Sequence, residues 1–139
     1  MSSEPKVAKD VAEAELNRYL EAMDLDARIS LERCTDADDR KSLEDLRWTL
    51  VRAIQEGHLV INEDGTAELH PKVGNTEPVK FPEPDARALI AMDQAKADHS
   101  VEKNLHMLGK WTGLNPERFK AMKFRDFRVC AALARLFLA

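Results

Sequence analysis

The chain has 139 residues, which suits one domain or two very small ones sharing a core. Apolar residues make up 44% and charged residues 33%, so a packed core can form beneath a highly charged surface. No stretch of about 20 apolar residues occurs, and the first ten residues lack the apolar core of a signal peptide, so we expect a cytoplasmic protein without a membrane span. Two cysteines, Cys34 and Cys130, form neither a disulfide framework nor a CxxC pair.

The net charge of −4 is unevenly distributed along the chain. Residues 1–75 hold 10 Lys/Arg and 17 Asp/Glu (−7), whereas residues 76–139 hold 11 and 8 (+3). A basic region of this kind can bind nucleic acid or a membrane surface. We favour the simpler interpretation that opposite charge helps the two halves to dock or steers a protein partner.

The N-terminal part of the chain predicts an acidic helical hairpin over residues 1–57. Residues 7–33 have helix-forming composition and one apolar face, although Asp24-Leu25-Asp26 can divide this helix in two. Thr35 or Asp36 can cap a second helix that runs to about Glu56, and Gly57 follows its last turn. The predicted buried faces consist of Ala12, Leu16, Tyr19, Leu20, Met23 and Ala27 in the first helix and of Leu43, Leu46, Leu50, Val51 and Ile54 in the second.

Residues 58–84 predict a β-hairpin and an extended linker. The runs 58–61 and 66–70 are β-rich and flank an Asp64-Gly65 turn. Three prolines exclude a helix between Glu77 and Pro84, where the alternating Val79 and Phe81 predict a third strand at the sheet edge.

Residues 85–139 predict a cluster of three to four helices. Asp85 and Ser100 cap the first two, and the second, with Val101, Leu105 and Leu108 on one face, ends at Thr112-Gly113. Asn115-Pro116-Glu117 begins a short helix. The last helix begins near Phe124, and its stretch Val129 to Ala139 is apolar except for Arg135, which predicts burial on several sides. The fold class is therefore mainly α with a small β-hairpin or three-stranded element.

No motif of a known catalytic centre is present, so we predict a protein that is not an enzyme and has no cofactor, catalytic residue or metal ligand. His99, Glu102 and His106 could share a helix face, and His58 and His70 could lie opposite each other in the hairpin. We favour a polar surface over a metal site for both sets. Cys34, beside acidic residues, and Cys130, in the apolar helix, are not expected to be reactive, and Cys130 is expected to fill the core.

For two sets of aromatic residues, the sequence leaves open whether they lie in the core or on the surface. Trp48 and Trp111 are favoured as core residues, with an exposed position at a protein interface as the alternative. Phe119, Phe124 and Phe127 lie among basic residues and could stack on single-stranded nucleic acid, but their helical spacing favours the core.

Two segments of the C-terminal half match a known family pattern in order and spacing. The first is a strand with a proline element before a capped helix, here Phe81-Pro82-Glu83-Pro84-Asp85. The second is a helix, a turn and a basic-Asp-aromatic element, here Thr112-Gly113-Leu114, then Pro116-Glu117, then Arg125-Asp126-Phe127. Over residues 77–139 the chain resembles the tail assembly chaperones of contractile-tailed and related phages.

The resemblance implies a non-enzymatic protein of the bacterial host cytoplasm that binds the tape-measure protein during tail morphogenesis and is absent from the mature virion. The tail tube protein is a further implied partner, together with self-association, and no membrane or nucleic-acid partner is expected. Adaptable Met92, Met107 and Met122 and a basic C-terminal region would suit a helical client. The alternative function is a small nucleic-acid-binding regulator that uses the basic C-terminal region. The predicted partner-binding residues are Met107, Trp111, Phe119, Met122, Arg125, Phe127, Arg128, Leu136 and Phe137.

Overall fold

The computed structural model describes residues 7–25, 36–70, 77–98 and 100–137. Within them lie six helices and three strands, which confirms the predicted mainly α fold with a small antiparallel sheet. In chain order these are α1 (Lys9–Ala22), α2 (Ala37–Gln55), β1 (Leu59–Ile61), β2 (Ala67–Leu69), β3 (Val79–Phe81), α3 (Ala86–Asp98), α4 (Val101–Thr112), α5 (Glu117–Lys120) and α6 (Phe124–Leu136). No helix in this described part of the chain is long and apolar enough to cross a bilayer.

The starts of α3 and α4 and the end of α4 lie where the capping residues predict them. The Ser100 Oγ accepts a hydrogen bond from the Lys103 amide at 3.3 Å, and the Asp85 Oδ1 accepts one from the Ala88 amide at 2.9 Å. Gly113 closes α4 with a φ of 76°, a left-handed conformation that glycine adopts without a Cβ clash.

The first helix is shorter than the range 7–33 predicts. It ends at Ala22, and Asp24 has a φ of 57°, so the break lies at the acidic segment that can interrupt the helix. Residues 26–33, including Ala27, and the potential cap Thr35 lie outside the described residues.

Helices α1 and α2 pack in an antiparallel arrangement, as the helical hairpin predicts. The Val7 amide, next to the start of α1, donates to the Gln55 carbonyl at the end of α2, at 3.2 Å. Towards the other end of the pair, the Arg47 Nη2 donates to the Asn17 Oδ1 at 2.9 Å.

The sheet has the order β1-β2-β3, with both pairs antiparallel. Leu59 is opposite Leu69, and Leu69 is opposite Val79, so alternate residues of all three strands face inward. The inward residues Leu59, Ile61, Ala67, Leu69, Val79 and Phe81 are all buried. The predicted hairpin and third strand are therefore confirmed.

The core draws residues from both halves of the chain in one cluster. Helix α2 packs on α6, α3 packs on α4, and the sheet contacts α1, α2 and α4. The ring of Phe137 meets that of Tyr19 edge-on, with centroids 6.4 Å apart. The predicted regions 1–57, 58–84 and 85–139 thus share a core, and their independent folding stays a prediction.

Candidate partner-binding surface

The two segments that define the C-terminal sequence pattern contact each other directly. The Trp111 Nε1 donates a hydrogen bond to the Pro82 carbonyl at 2.7 Å, across 29 positions of sequence. The rings of Phe81 and Trp111 lie 4.8 Å apart between centroids, and both side chains are buried. Since a buried indole needs an acceptor, the Pro82 carbonyl fixes where α4 meets the end of β3.

The outer edge of β3 is covered by the same part of the molecule. The His70 amide donates to the His58 carbonyl, and the Asn62 amide donates to the Thr66 carbonyl. Position 68 lies midway between 66 and 70, so the amide and carbonyl groups of Glu68 also point towards β1. Because this direction alternates along a strand, positions 78, 80 and 82 face the outer edge of β3. Prolines at 78 and 82 have no N–H to offer there, and their carbonyls accept hydrogen bonds from the Arg118 Nη2 at 3.5 Å and from the Trp111 Nε1 at 2.7 Å, respectively.

The opposite edge of the sheet is covered by an arginine of α1. The Arg18 Nη2 donates to the Ile61 carbonyl at 2.8 Å, and its Nη1 donates to the Asn62 carbonyl at 3.2 Å. Side chains therefore occupy carbonyl groups on both edges of the sheet, so a partner strand would have to displace them.

The turn between α4 and α5 is held by close packing. A Cβ at Gly109 would lie 2.9 Å from the Pro116 Cγ and 3.1 Å from the Leu114 carbonyl oxygen. The Asn115 Oδ1 accepts a hydrogen bond from the Glu117 amide at 3.0 Å and so caps α5. These residues build the local structure of the turn, where Gly109 is buried and Asn115 and Glu117 are exposed.

Four of the nine predicted partner-binding residues lie in the core, which corrects their assignment to a surface. Met107, Phe119 and Leu136 are at most 1% exposed, and Trp111 is 4% exposed. Met107 lies on the buried face of α4 beside Leu108, so its flexibility serves packing within the chain. Met92 is buried too, so only Met122 of the three methionines reaches the surface.

The other five predicted residues are accessible to different extents. Met122, Phe127 and Phe137 are half-buried, whereas Arg125 and Arg128 are exposed. The Phe137 ring packs edge-on against the Trp111 ring, with centroids 5.8 Å apart. The Cys130 thiol donates a hydrogen bond to the Met122 sulfur at 3.7 Å. The two arginines therefore remain the most accessible members of the predicted set.

The exposed side of α6 carries a residue that sequence reasoning placed in the core. Phe124 is 73% exposed, so its helical spacing with Phe119 and Phe127 was a wrong indication of burial. It is the first residue of α6 and projects before the helix enters the core. We name Phe124, Arg125, Arg128 and Arg135 the α6 basic face; all four are exposed.

A second exposed aromatic lies on α2. Trp48 is 55% exposed, so the favoured core position is wrong for this residue, whereas Trp111 is in the core as predicted. The Arg52 guanidinium lies 5.4 Å from the centroid of the Trp48 ring, a cation–π distance. On α4, Val101 is likewise exposed, and the core face is formed by Met107, Leu108 and Trp111.

The residues considered as metal ligands or nucleophiles form no reactive centre in the described structure. No group of three His, Cys, Asp or Glu side chains among these residues could hold a metal ion. His58 and His70 are opposite each other, as predicted, with the His70 amide donating to the His58 carbonyl at 2.6 Å. Cys130 is fully buried, and burial raises the pKa of its thiol, so it fills the core as expected. Cys34 and His99 lie outside the described residues.

A groove of about 430 Å³ runs between α3 and α4. Its polar lining includes Lys103, His106 and Lys110 from α4, with Glu102 beside them and Gln94 opposite on α3. Glu102 and His106 thus share a face, as the sequence predicts, together with two cationic side chains that sequence reasoning did not connect to them.

No protein-family model, curated protein or solved structure matches the chain.

Proposed function

We propose that this protein is a phage tail assembly chaperone that binds the tape-measure protein and has no enzymatic activity. The observation that carries the proposal is the contact between the two segments that resemble the family. The Trp111–Pro82 hydrogen bond and the Phe81–Trp111 ring contact join both segments in one folded unit. The two segments therefore belong to one structural unit, which supports treating them as parts of one pattern.

A client surface is available on α3. Leu89 and Ile90 are adjacent and are 37% and 59% exposed, while Ala88, Ala91 and Met92 pack inward. An exposed aliphatic strip on a helix that is already anchored by its other face suits the apolar side of a helical client. In the proposed function, this strip holds a helix of the tape-measure protein in the host cytoplasm, before the tail tube protein assembles around it.

The test is co-expression with the tape-measure protein that this proposal expects to be encoded near the gene. We expect a soluble complex that co-purifies, and an insoluble client when the chaperone is omitted. Ile90→Glu should reduce the co-purified client at least tenfold, because it places a charge in the apolar strip. Val11→Glu, which makes the same kind of change at an exposed aliphatic residue of α1, is the matched control and should leave the complex intact. A client that is soluble alone and does not co-purify contradicts the proposal.

A second candidate function, nucleic-acid binding, is favoured by two lysines along α4. Lys103, His106 and Lys110 line one groove, although Glu102 lies among them. A mobility shift with DNA or RNA that weakens steeply as salt rises would support this function. The absence of a shift at low salt, with the co-purifying client present, would favour the chaperone.

A further inference from the structure

The groove between α3 and α4 contains cationic side chains that the chaperone function does not use. Lys103, His106 and Lys110 line it from α4 at spacings of three and four positions, so they form one row on that helix. All three are exposed, and neither His106 nor Lys110 makes a hydrogen bond or ion pair with another described residue. The row is therefore accessible to an anionic ligand from solvent.

The length of this row fits a ligand with two anionic groups. Lys103 and Lys110 are seven positions apart, about 10 Å along a helix axis, and His106 lies between them. A lone phosphate ion would contact both lysines only if their side chains converged, which costs rotamer entropy and brings two like charges together. A molecule with a phosphate group at each end contacts both ammonium groups without that cost.

The size of the groove fits a small organic molecule. Its volume of about 430 Å³ lies within the range of about 300–1,000 Å³ typical of small-molecule sites. Ala91 lines it from α3 with a single methyl group and is itself buried, so a small side chain leaves this space open. An inorganic phosphate ion would leave most of the groove to water.

The rest of the lining suits hydroxyl groups. Gln94 offers an amide that both donates and accepts, and the Glu102 carboxylate accepts from hydroxyls but repels a phosphate. The Ser100 Oγ accepts a hydrogen bond from the Lys103 amide, so its own proton can be donated to a ligand. Apart from the His106 imidazole, no aromatic ring is among the described lining residues, so a nucleobase would have no stacking platform.

We propose that this groove binds a small phosphorylated sugar or polyol that carries two phosphate groups. Lys103 and Lys110 bind one phosphate each, an imidazole N–H of His106 donates between them, and Gln94 and Glu102 contact the hydroxyls. The site does not include the exposed aliphatic strip of α3, and the proposal does not depend on the tape-measure protein as client.

A nucleic acid would offer phosphate groups to the same lysines. Single-stranded nucleic acids are bound along about 4–16 nucleotides and on aromatic platforms, and the groove provides neither that length nor those rings. The lining therefore favours the small molecule, and the polymer is the competing source of phosphate in the experiments.

The test is an amide NMR titration of the full chain with fructose 1,6-bisphosphate. We expect saturable one-to-one binding with a Kd below about 1 mM, with the shifts concentrated at positions 91–94 and 100–110. Glucose 6-phosphate and inorganic phosphate should each bind at least tenfold more weakly, because each offers a single phosphate. The proposal is overturned by the absence of a saturable shift up to about 10 mM, or by inorganic phosphate binding as tightly as the bisphosphate.

Charge removal tests the two lysines. Lys103→Gln/Lys110→Gln should weaken binding of the bisphosphate at least tenfold and leave the thermal unfolding midpoint unchanged, because both side chains are exposed. Lys41→Gln/Lys123→Gln makes the same change in net charge at exposed positions of α2 and before α6, and should bind like the wild type. An equal loss in both double variants would show non-specific attraction and refute the site.

Filling the groove tests its shape without changing its charge. Ala91→Leu extends a larger side chain from the α3 wall and should weaken binding of the bisphosphate at least tenfold. If the leucine lowers the thermal unfolding midpoint, Gln94→Leu at an exposed position of the same wall provides the same test. A stable filled variant that binds like the wild type would place the ligand outside the groove and contradict the proposal.

Competition distinguishes the two sources of phosphate. A single-stranded DNA of about 12 nucleotides without terminal phosphates should not displace the bisphosphate at equal concentration. Displacement by this DNA would show that the groove binds a nucleic-acid backbone, and the small-molecule proposal would be wrong. All of these measurements use the isolated protein, so this proposal and the chaperone proposal can fail independently.

Discussion

Replacing Gly109 with alanine is expected to destabilise the protein through a single steric contact. The new methyl group would lie 2.9 Å from the Pro116 Cγ, 3.2 Å from its Cδ and 3.1 Å from the Leu114 carbonyl oxygen. Overpacking of this kind costs about 1–3 kcal/mol. The change also replaces a glycine inside a helix with alanine, whose higher helix propensity stabilises the folded protein by about 1 kcal/mol. The expected net loss is therefore up to about 2 kcal/mol, with the upper end favoured because a backbone oxygen and a rigid ring cannot both retreat.

The assay is urea and thermal unfolding followed by far-UV circular dichroism. For a chain of this length, a loss of about 2 kcal/mol lowers the unfolding midpoint by about 7 °C. Pro116→Ala removes two of the three close atoms, so the double variant Gly109→Ala/Pro116→Ala should lose less stability than the sum of the single changes.

Gly113→Ala provides the matched control for this interpretation. A Cβ there meets nothing within 4 Å, but the residue has a φ of 76°, so its expected loss of about 1 kcal/mol is conformational. Pro116→Ala should not reduce that loss. If Gly109→Ala instead raises stability by the propensity gain alone, the packing of Pro116 on α4 is refuted.

Three further predictions concern titratable or buried groups. Tyr19→Phe should keep or raise stability, by about 1 kcal/mol, because the Tyr19 hydroxyl is buried with no hydrogen-bond partner among the described residues; a clear loss in urea unfolding would reveal a partner. In a Cys34→Ser chain, the Cys130 thiol should stay unlabelled by a thiol reagent until the chain unfolds, because the side chain is fully buried and burial raises its pKa; rapid labelling under native conditions would contradict the packing of α6. Hydrogen bonds from the Thr66 hydroxyl and amide lower the pKa of Asp64 from 3.8 to about 2, so its contribution to stability is present above pH 3.8 and is lost as the pH falls towards 2. An NMR titration midpoint for Asp64 near 3.8 would rule out those hydrogen bonds in solution.

Features that depend on a few neighbouring residues could be predicted from the sequence. The caps at Asp85 and Ser100 and the glycine that closes α4 are set within four positions of chain, because a side chain or a permissive φ satisfies the nearest backbone groups. The hairpin around Asp64-Gly65 follows the same logic, since turn chemistry fixes the register of the flanking strands.

The exposure of single aromatic side chains could not be predicted in this way. Trp48 and Phe124 have apolar neighbours at helical spacing, yet both are exposed. Phe124 is the first residue of its helix and Trp48 lies outside the α2 stripe that faces the core. Apolar periodicity identifies the buried stripe of a helix. It does not show whether another element covers the residues at the margins and ends of that stripe.

The candidate partner surface, too, could be predicted from the sequence only in part. The residues that carry the family resemblance were identified by order and spacing, but Met107, Trp111, Phe119 and Leu136 were assigned to a surface that they do not reach. The accessible arginines and Phe124 became recognisable as one face only when the orientation of α6 against α2 was known.

The sequence alone therefore determined the fold class, the element order and the capping residues, because each rests on local hydrogen bonds or on periodicity along one element. Only the tertiary structure decided that Trp111 anchors Pro82 and that arginines cover both edges of the sheet, since those contacts join residues 29 to 44 positions apart. It also decided which charged faces are left without a partner. Burial depends on what packs against a side chain, and that is a property of the assembled chain.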